Sequence, residues 1–111
     1  MTAVTEQLLD EMVRVIVREI DPEQVYLFGS RARGDARADS DVDLLVVEQE
    51  PPSNPGSCWG KRVRLSHLLA QFRVSTDVLV YSHAEVERWR ASTNHVVARA
   101  LREGKLLYER H

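Results

Sequence analysis

The sequence predicts an α/β fold: one small mixed β-sheet packed with helices. Three observations lead there. Segments of helical period alternate with short apolar runs of strand length. One run, Leu44-Leu45-Val46-Val47, is apolar on both faces, as a central strand requires. Hydrophobic residues make up 43% of 111 residues, enough for one core in a chain of single-domain size. Residues 1–111 are therefore expected to form a single domain.

Residues 4–20 place Val4, Leu8, Leu9, Met12, Val13, Val15, Ile16 and Ile20 at helical spacing with one broad apolar face. Asp21-Pro22 ends this helix, because Pro22 disfavours the α conformation at Asp21. Gln24 to Phe28 is a short strand, and Gly29-Ser30 follows at once. Residues 31–40 are a polar connection with room for one helical turn. Asp41 to Val47 is the second strand. Residues 48–57, rich in Pro, Ser and Gly, sustain neither helix nor strand and are expected to be a mobile loop, placed where it can close over the site.

Trp59 to Phe72 predicts the second major helix, with Val63, Leu65, Leu68, Leu69 and Phe72 inward. Val74 to Tyr81 is a third strand carrying Asp77. Ser82 or His83 opens a helix through Trp89. Thr93 is the expected cap of another, with Val96, Val97, Ala100 and Leu101 inward and Gly104 closing it. Lys105 to Tyr108 is a candidate final strand.

Composition excludes several classes. Fifteen basic and 17 acidic side chains give a net charge of −2, which argues against a protein built to coat nucleic acid. The single cysteine, Cys58, permits no intramolecular disulfide and no thiolate zinc cluster, and suits a reducing cytoplasm. The N-terminal residues carry acid rather than a basic, then apolar, leader, so no signal peptide is expected. No stretch approaches the roughly 18 continuous apolar residues of a membrane span.

Chemistry concentrates in Leu27-Phe28-Gly29-Ser30-Arg31-Ala32-Arg33-Gly34-Asp35 and Ser40-Asp41-Val42-Asp43-Leu44. Gly29, where a strand stops, permits a sharp turn and close approach of a ligand to backbone. Free N–H groups of the turn opened by Ser30 suit phosphate oxygens, and the Ser30 hydroxyl adds a donor. Arg31 and Arg33 supply cations that can fork onto phosphate. Asp41 and Asp43 are two apart, which on a strand puts both carboxylates on one face about 7 Å apart. Paired carboxylates repel unless a cation lies between them, so the spacing is costly without metal and useful with it. Asp77 sits in the apolar Val74–Tyr81 run, where unpaired charge is expensive. If that strand lies beside the Asp41 strand, it completes a trio.

Gly29-Ser30, ten residues, then Asp41-Val42-Asp43 resembles the pattern of the polymerase-β-like nucleotidyltransferase superfamily. The chain is most similar to its smallest branch, the minimal nucleotidyltransferases. The likeness covers nearly the whole chain, including the leading helix, Asp77 and the closing Arg99–Tyr108 segment. The resemblance implies the nucleotidyltransferase fold, with Asp41 and Asp43 binding two Mg²⁺ and Asp77 helping to hold the metal or activate the attacking hydroxyl. It places Gly29, Ser30, Arg31 and Arg33 at the phosphates of ATP. An acceptor oxygen attacks the α-phosphorus in line and pyrophosphate leaves. Many minimal members accompany a helical HEPN-type ribonuclease toxin as its antitoxin, and some adenylylate a tyrosine on it. The resemblance thus implies a protein adenylyltransferase, with a HEPN-domain toxin and ATP as partners. The alternatives are an antitoxin acting by binding alone and a transferase for a small molecule such as an aminoglycoside. At 111 residues no second domain is expected to wall a small-molecule pocket, and the acceptor is expected on another protein.

Plainer readings compete at several positions. Asp39-Ser40-Asp41-Val42-Asp43 with Glu50 mimics a calcium loop, but the sixth position holds Leu44 where the turn needs Gly. Asp77 has an alternative as a strand-end residue paired with an arginine. Arg31 and Arg33 have one as loop charges bridging Asp35 and Asp39. Lys61, Arg62 and Arg64 read as the wet side of a helix, and the four histidines show no ligand spacing. Trp59 and Trp89 read as core or interface residues.

Overall fold

A computed structural model describes residues 4–37, 40–49, 57–93 and 95–110. The elements run α1 (Glu6–Ile20), β1 (Gln24–Phe28), α2 (Ser30–Arg33), β2 (Val42–Glu48), α3 (Ser57–Leu69), a 3₁₀ turn (Ala70–Phe72), β3 (Thr76–Ser82), α4 (His83–Trp89), α5 (Val96–Glu103) and β4 (Lys105–Glu109). The four strands form one mixed sheet in the order β3-β2-β1-β4. β2 runs antiparallel to β1 and parallel to β3, and β4 is antiparallel to β1 on the outer edge.

Alternation along the strands builds two cores. Val25, Leu27, Val42, Leu44, Val46, Val78 and Val80 face one side and pack with Met12, Val13 and Ile16 of α1 and Leu65 and Leu69 of α3. Leu45 and Val47 face the other side, against Val86 of α4 and Val97 and Ala100 of α5. β2 contributes to both cores and is buried from Leu44 to Glu48, as its unbroken apolar run predicts. Each fully buried Val or Leu contributes about 1.5–3 kcal/mol.

Local chemistry sets the element ends. Thr5 caps α1, its Oγ1 accepting from Leu8 N at 3.1 Å. Asp21 ends that helix in the left-handed region (φ 48°), away from the right-handed conformation that Pro22 disfavours. Ser82 opens α4 through a reciprocal capping box with Glu85. The buried Glu48 carboxylate accepts from Lys61 Nζ, tying α3 to the end of β2.

Several expectations need correction. The second strand starts at Val42, so Asp41 stands just before it. Glu48 ends that strand and Ser57 opens α3, so the expected 48–57 loop is shorter, and residues 50–56 lie outside the described residues. Val63 is 51% exposed, because it falls on the outer side of α3, nearly opposite the buried Leu65 and Leu69. α5 is capped by His95, whose Nδ1 accepts from Val97 N at 3.1 Å, and not by Thr93. Val96, expected inward, is exposed.

Gly104 does end α5, for a reason other than left-handed freedom. Its backbone is extended (φ −82°, ψ 165°). A Cβ there would stand 2.2 Å from the Ala100 carbonyl oxygen and 2.8 Å from that of Leu27, both fixed backbone atoms. Gly104→Ala should therefore destabilise the fold by about 1–3 kcal/mol, the usual range for overpacking. The check is a lower urea midpoint at unchanged slope.

Candidate active site

The site lies where β1 ends and β2 and β3 begin. Antiparallel pairing sets Phe28 opposite Asp43, and parallel pairing sets Asp43 beside Asp77. Asp43 and Asp77 therefore project from the sheet face that carries Leu45 and Leu79. Toward the other end of the strands that face is covered by α4 and α5. Asp41, just before β2, is exposed and close enough for its carboxylate to push the Asp43 carboxyl up. The neighbouring strand thus brings Asp77 to the Asp-x-Asp pair, as the sequence requires of a trio.

Gly29 leaves β1 at φ 75°, a conformation that L side chains avoid. A Cβ on Gly29 would lie 2.2 Å from Asp43 Oδ2. Only glycine lets the turn pass this close to the carboxylate. Ser30 then opens the single turn α2, in which the N–H groups of Ala32 and Arg33 both reach Gly29 O at 3.1 Å. The Ser30 N–H stands at the start of that turn, ahead of its first donor, Ala32 N.

Asp43 is the electrostatic centre. Burial pushes its carboxyl above the ordinary 3.8, the Asp77 and Asp41 carboxylates push it further, and Arg33 opposes them. Asp77 is half-exposed and takes a counter-ion from α3, Arg62 Nη2 lying 3.4 Å from its Oδ1. The arginine pairing weighed for Asp77 is thus real, and at this exposure it is a weak contact. Among the described residues no group of three His, Cys, Asp or Glu side chains is gathered closely enough to hold a metal ion. Asp77 pairs instead with Arg62. The donor set itself suits a hard divalent cation: all oxygen, anionic and in register.

The two loop arginines divide in role. Arg31 donates from Nε and Nη2 to Ser40 O (3.2 and 2.7 Å) and from Nη2 to Arg37 O (3.4 Å). It braces the loop that leads to Asp41. Arg33 bridges Asp35 (3.4 Å) and Glu103 on α5 (3.2 Å). The Asp35 half of this was weighed from sequence, while Asp39 lies outside the described residues.

Beside these residues opens a cavity of about 330 Å³, lined by Phe28, Gly29, Ser30, Arg33, Asp43, Val96, Arg99 and Glu103. Its far wall is α5. Sequence reading missed Val96, Arg99 and Glu103 as site residues. Their only signal was the i, i+3 and i+4 spacing that puts them on one side of a helix.

A glycine turn passing over a carboxylate, with a second carboxylate in register on the next strand, defines the class: an α/β nucleotidyltransferase. The model of the family described as polymerase beta, nucleotidyltransferase, matches residues 10–111, and the chain belongs to that family. Solved structures agree with the fold. A candidate nucleotidyltransferase of Sulfolobus solfataricus is 26% identical, with a TM-score of 0.62 over 95% of this chain and 80% of that one. A candidate minimal nucleotidyltransferase is 27% identical, with a TM-score of 0.58 over 92% of this chain and 95% of that one. A chain of a toxin–antitoxin crystal structure with AMP-PNP shares the fold at 21% identity, with a TM-score of 0.62 over 92% and 74%. No curated protein matches by sequence. Among the described residues no helix is long and apolar enough to cross a membrane.

The raised Asp43 carboxyl has a signed consequence for the metal-free protein. A carboxyl whose folded pKa is raised stabilises the fold fully below the ordinary 3.8, and that contribution is lost as pH rises through the folded value. At neutral pH the Asp43 charge therefore costs stability. Thermal melts in chelator should show Asp43→Asn more stable than wild type at pH 7, with the difference shrinking toward pH 4. A difference that grows on acidification would contradict the assignment.

Proposed function

We propose that this protein transfers AMP from ATP to an acceptor hydroxyl, a tyrosine on a HEPN-type ribonuclease toxin, and so acts as that toxin's antitoxin. The observation that carries the reading is the register pairing of Asp43 with Asp77 beside a glycine turn that touches Asp43. Family membership supports nucleotidyl transfer. The toxin–antitoxin neighbour with AMP-PNP supports the nucleotide and the biological setting.

Asp41, Asp43 and Asp77 would hold Mg²⁺, taken as two ions. Bound there, the metal supplies charge neutralisation for the phosphates and for the attacking oxygen. The chain's own groups do the positioning that phosphoryl-type transfer mostly needs. Gly29 brings backbone up to the ligand, and the Ser30 hydroxyl and backbone N–H, at the start of the turn, hold phosphate oxygens. Asp77, released from Arg62, accepts the proton of the acceptor hydroxyl. β3, the strand that carries Asp77, lies at the edge of the sheet, the side on which a second protein would present the acceptor. We place the protein in the cytoplasm, in keeping with its single thiol.

A second reading, inhibition of the toxin by binding alone, draws on the Arg62–Asp77 pair, which engages the third carboxylate. One experiment separates the two. The toxin is incubated with ATP labelled at the α-phosphate, Mg²⁺ and this protein. Asp41→Asn and Asp43→Asn should each reduce label transfer at least about 100-fold while keeping the fold. Undiminished Mg²⁺-dependent transfer by both variants would sink the metal assignment. Full toxin inhibition by Asp43→Asn without transfer would establish the second reading.

A further inference from the structure

The cavity beside Asp43 has chemistry that the Gly-Ser and Asp-x-Asp motifs leave unassigned. Phe28 and Val96 give it apolar surface, and Arg33 and Arg99 give it cations. Val96 is 36% exposed, large and apolar, on a helix that otherwise buries its apolar side. Such a mixture fits a ligand with an apolar ring and an anionic tail.

The arginines near this turn are not equivalent. Arg31 is committed to the carbonyls of Ser40 and Arg37. Arg33 is held by Asp35 and Glu103, and its field also favours the charged form of Asp43. To take a phosphate it must leave two carboxylates. Arg99 stands one helical turn before Glu103 and lines the same cavity. Among the described residues no carboxylate pairs with it.

We propose that Arg99, on α5, is the residue that selects a nucleoside triphosphate over a monophosphate, its guanidinium taking the anionic tail of a nucleotide seated against Gly29 and Ser30. Arg33 stays pinned to Glu103 as part of the wall. The inference rests on the nucleotide reading of the site and names the residue that reads phosphate length. A planar fork suits two phosphate oxygens, so charge alone replaces it only in part.

The test is calorimetric titration of the full chain with AMP-PNP and with AMP, each with Mg²⁺. Arg99→Ala should weaken AMP-PNP binding about 10- to 100-fold, the range of a lost charge-assisted contact, and AMP binding less than about threefold. Arg99→Lys should recover part of the loss. Because Arg99 is exposed, melting temperatures should match wild type. Unchanged AMP-PNP affinity in Arg99→Ala, with affinity lost in Asp43→Asn, overturns the role of Arg99 and leaves the nucleotide site standing. Equal loss of AMP and AMP-PNP also overturns it. Wild-type protein that binds no AMP-PNP overturns the nucleotide reading and this inference together.

Discussion

Asp43 carries its charge half-buried, with a second carboxylate in register and a third two residues away. In the metal-free chain that arrangement is a cost, and the surroundings limit it without removing it. Gly29 gives up its side chain so that backbone can lie against the carboxylate. Arg33 lends a field from the turn, and Arg62 reaches from α3 to the outer carboxylate. None of these cancels the repulsion. A site that neutralised itself would have no use for a divalent cation, whereas a site left short of positive charge has one.

The motif was legible because its geometry is local. Asp41, two residues before Asp43, stays close enough for its carboxylate to push the Asp43 carboxyl up, although it lies just before β2. A glycine at a strand end announces close approach by its residue type alone. The Leu44–Val47 run announced a central strand in the same way, and β2 is one. Asp77 was legible only conditionally. Its spacing says nothing about which strand it joins, and the parallel pairing that sets it beside Asp43 is a tertiary fact. The face of a helix is readable, but its rim is not. Val96 sits where one more step around the helix separates core from surface, while Val63 lies nearly opposite the buried stripe of its helix.

The arginines show where residue type misleads. Arg31 and Arg33 follow the Gly-Ser turn and look like phosphate ligands. What they do depends on carbonyls nine residues on and on a carboxylate 70 residues away. Arg99 opens the closing segment counted in the family likeness, but nothing in its sequence neighbourhood ties it to the Gly-Ser turn. Only the packing of α5 beside the end of β1 brings it to the cavity. The same packing explains Gly104, which was read correctly as a helix end for the wrong reason. Its missing side chain makes room for two backbone carbonyls, one on α5 and one on β1.

That packing also decides how firm the cavity wall is. At the start of α5 the His95 ring accepts from Val97 N and stacks on Trp89, with centroids 4.4 Å apart and planes 6° apart. Its edge meets Tyr81 of β3 at 5.9 Å. At the far end Gly104 seats the helix on β1, and Glu103 reaches back to Arg33. Both ends of a helix barely two turns long are therefore tied to the sheet. A helix this short has little stability of its own and takes its position from such contacts. With its ends fixed, α5 presents its cavity side as a preset surface, and a ligand spends little of its binding free energy on ordering that wall. The carboxylate side works the other way: Asp77 must leave Arg62 before it can join Asp43. On the proposed reading, the site would pair a fixed wall with carboxylates that a bound cation draws together.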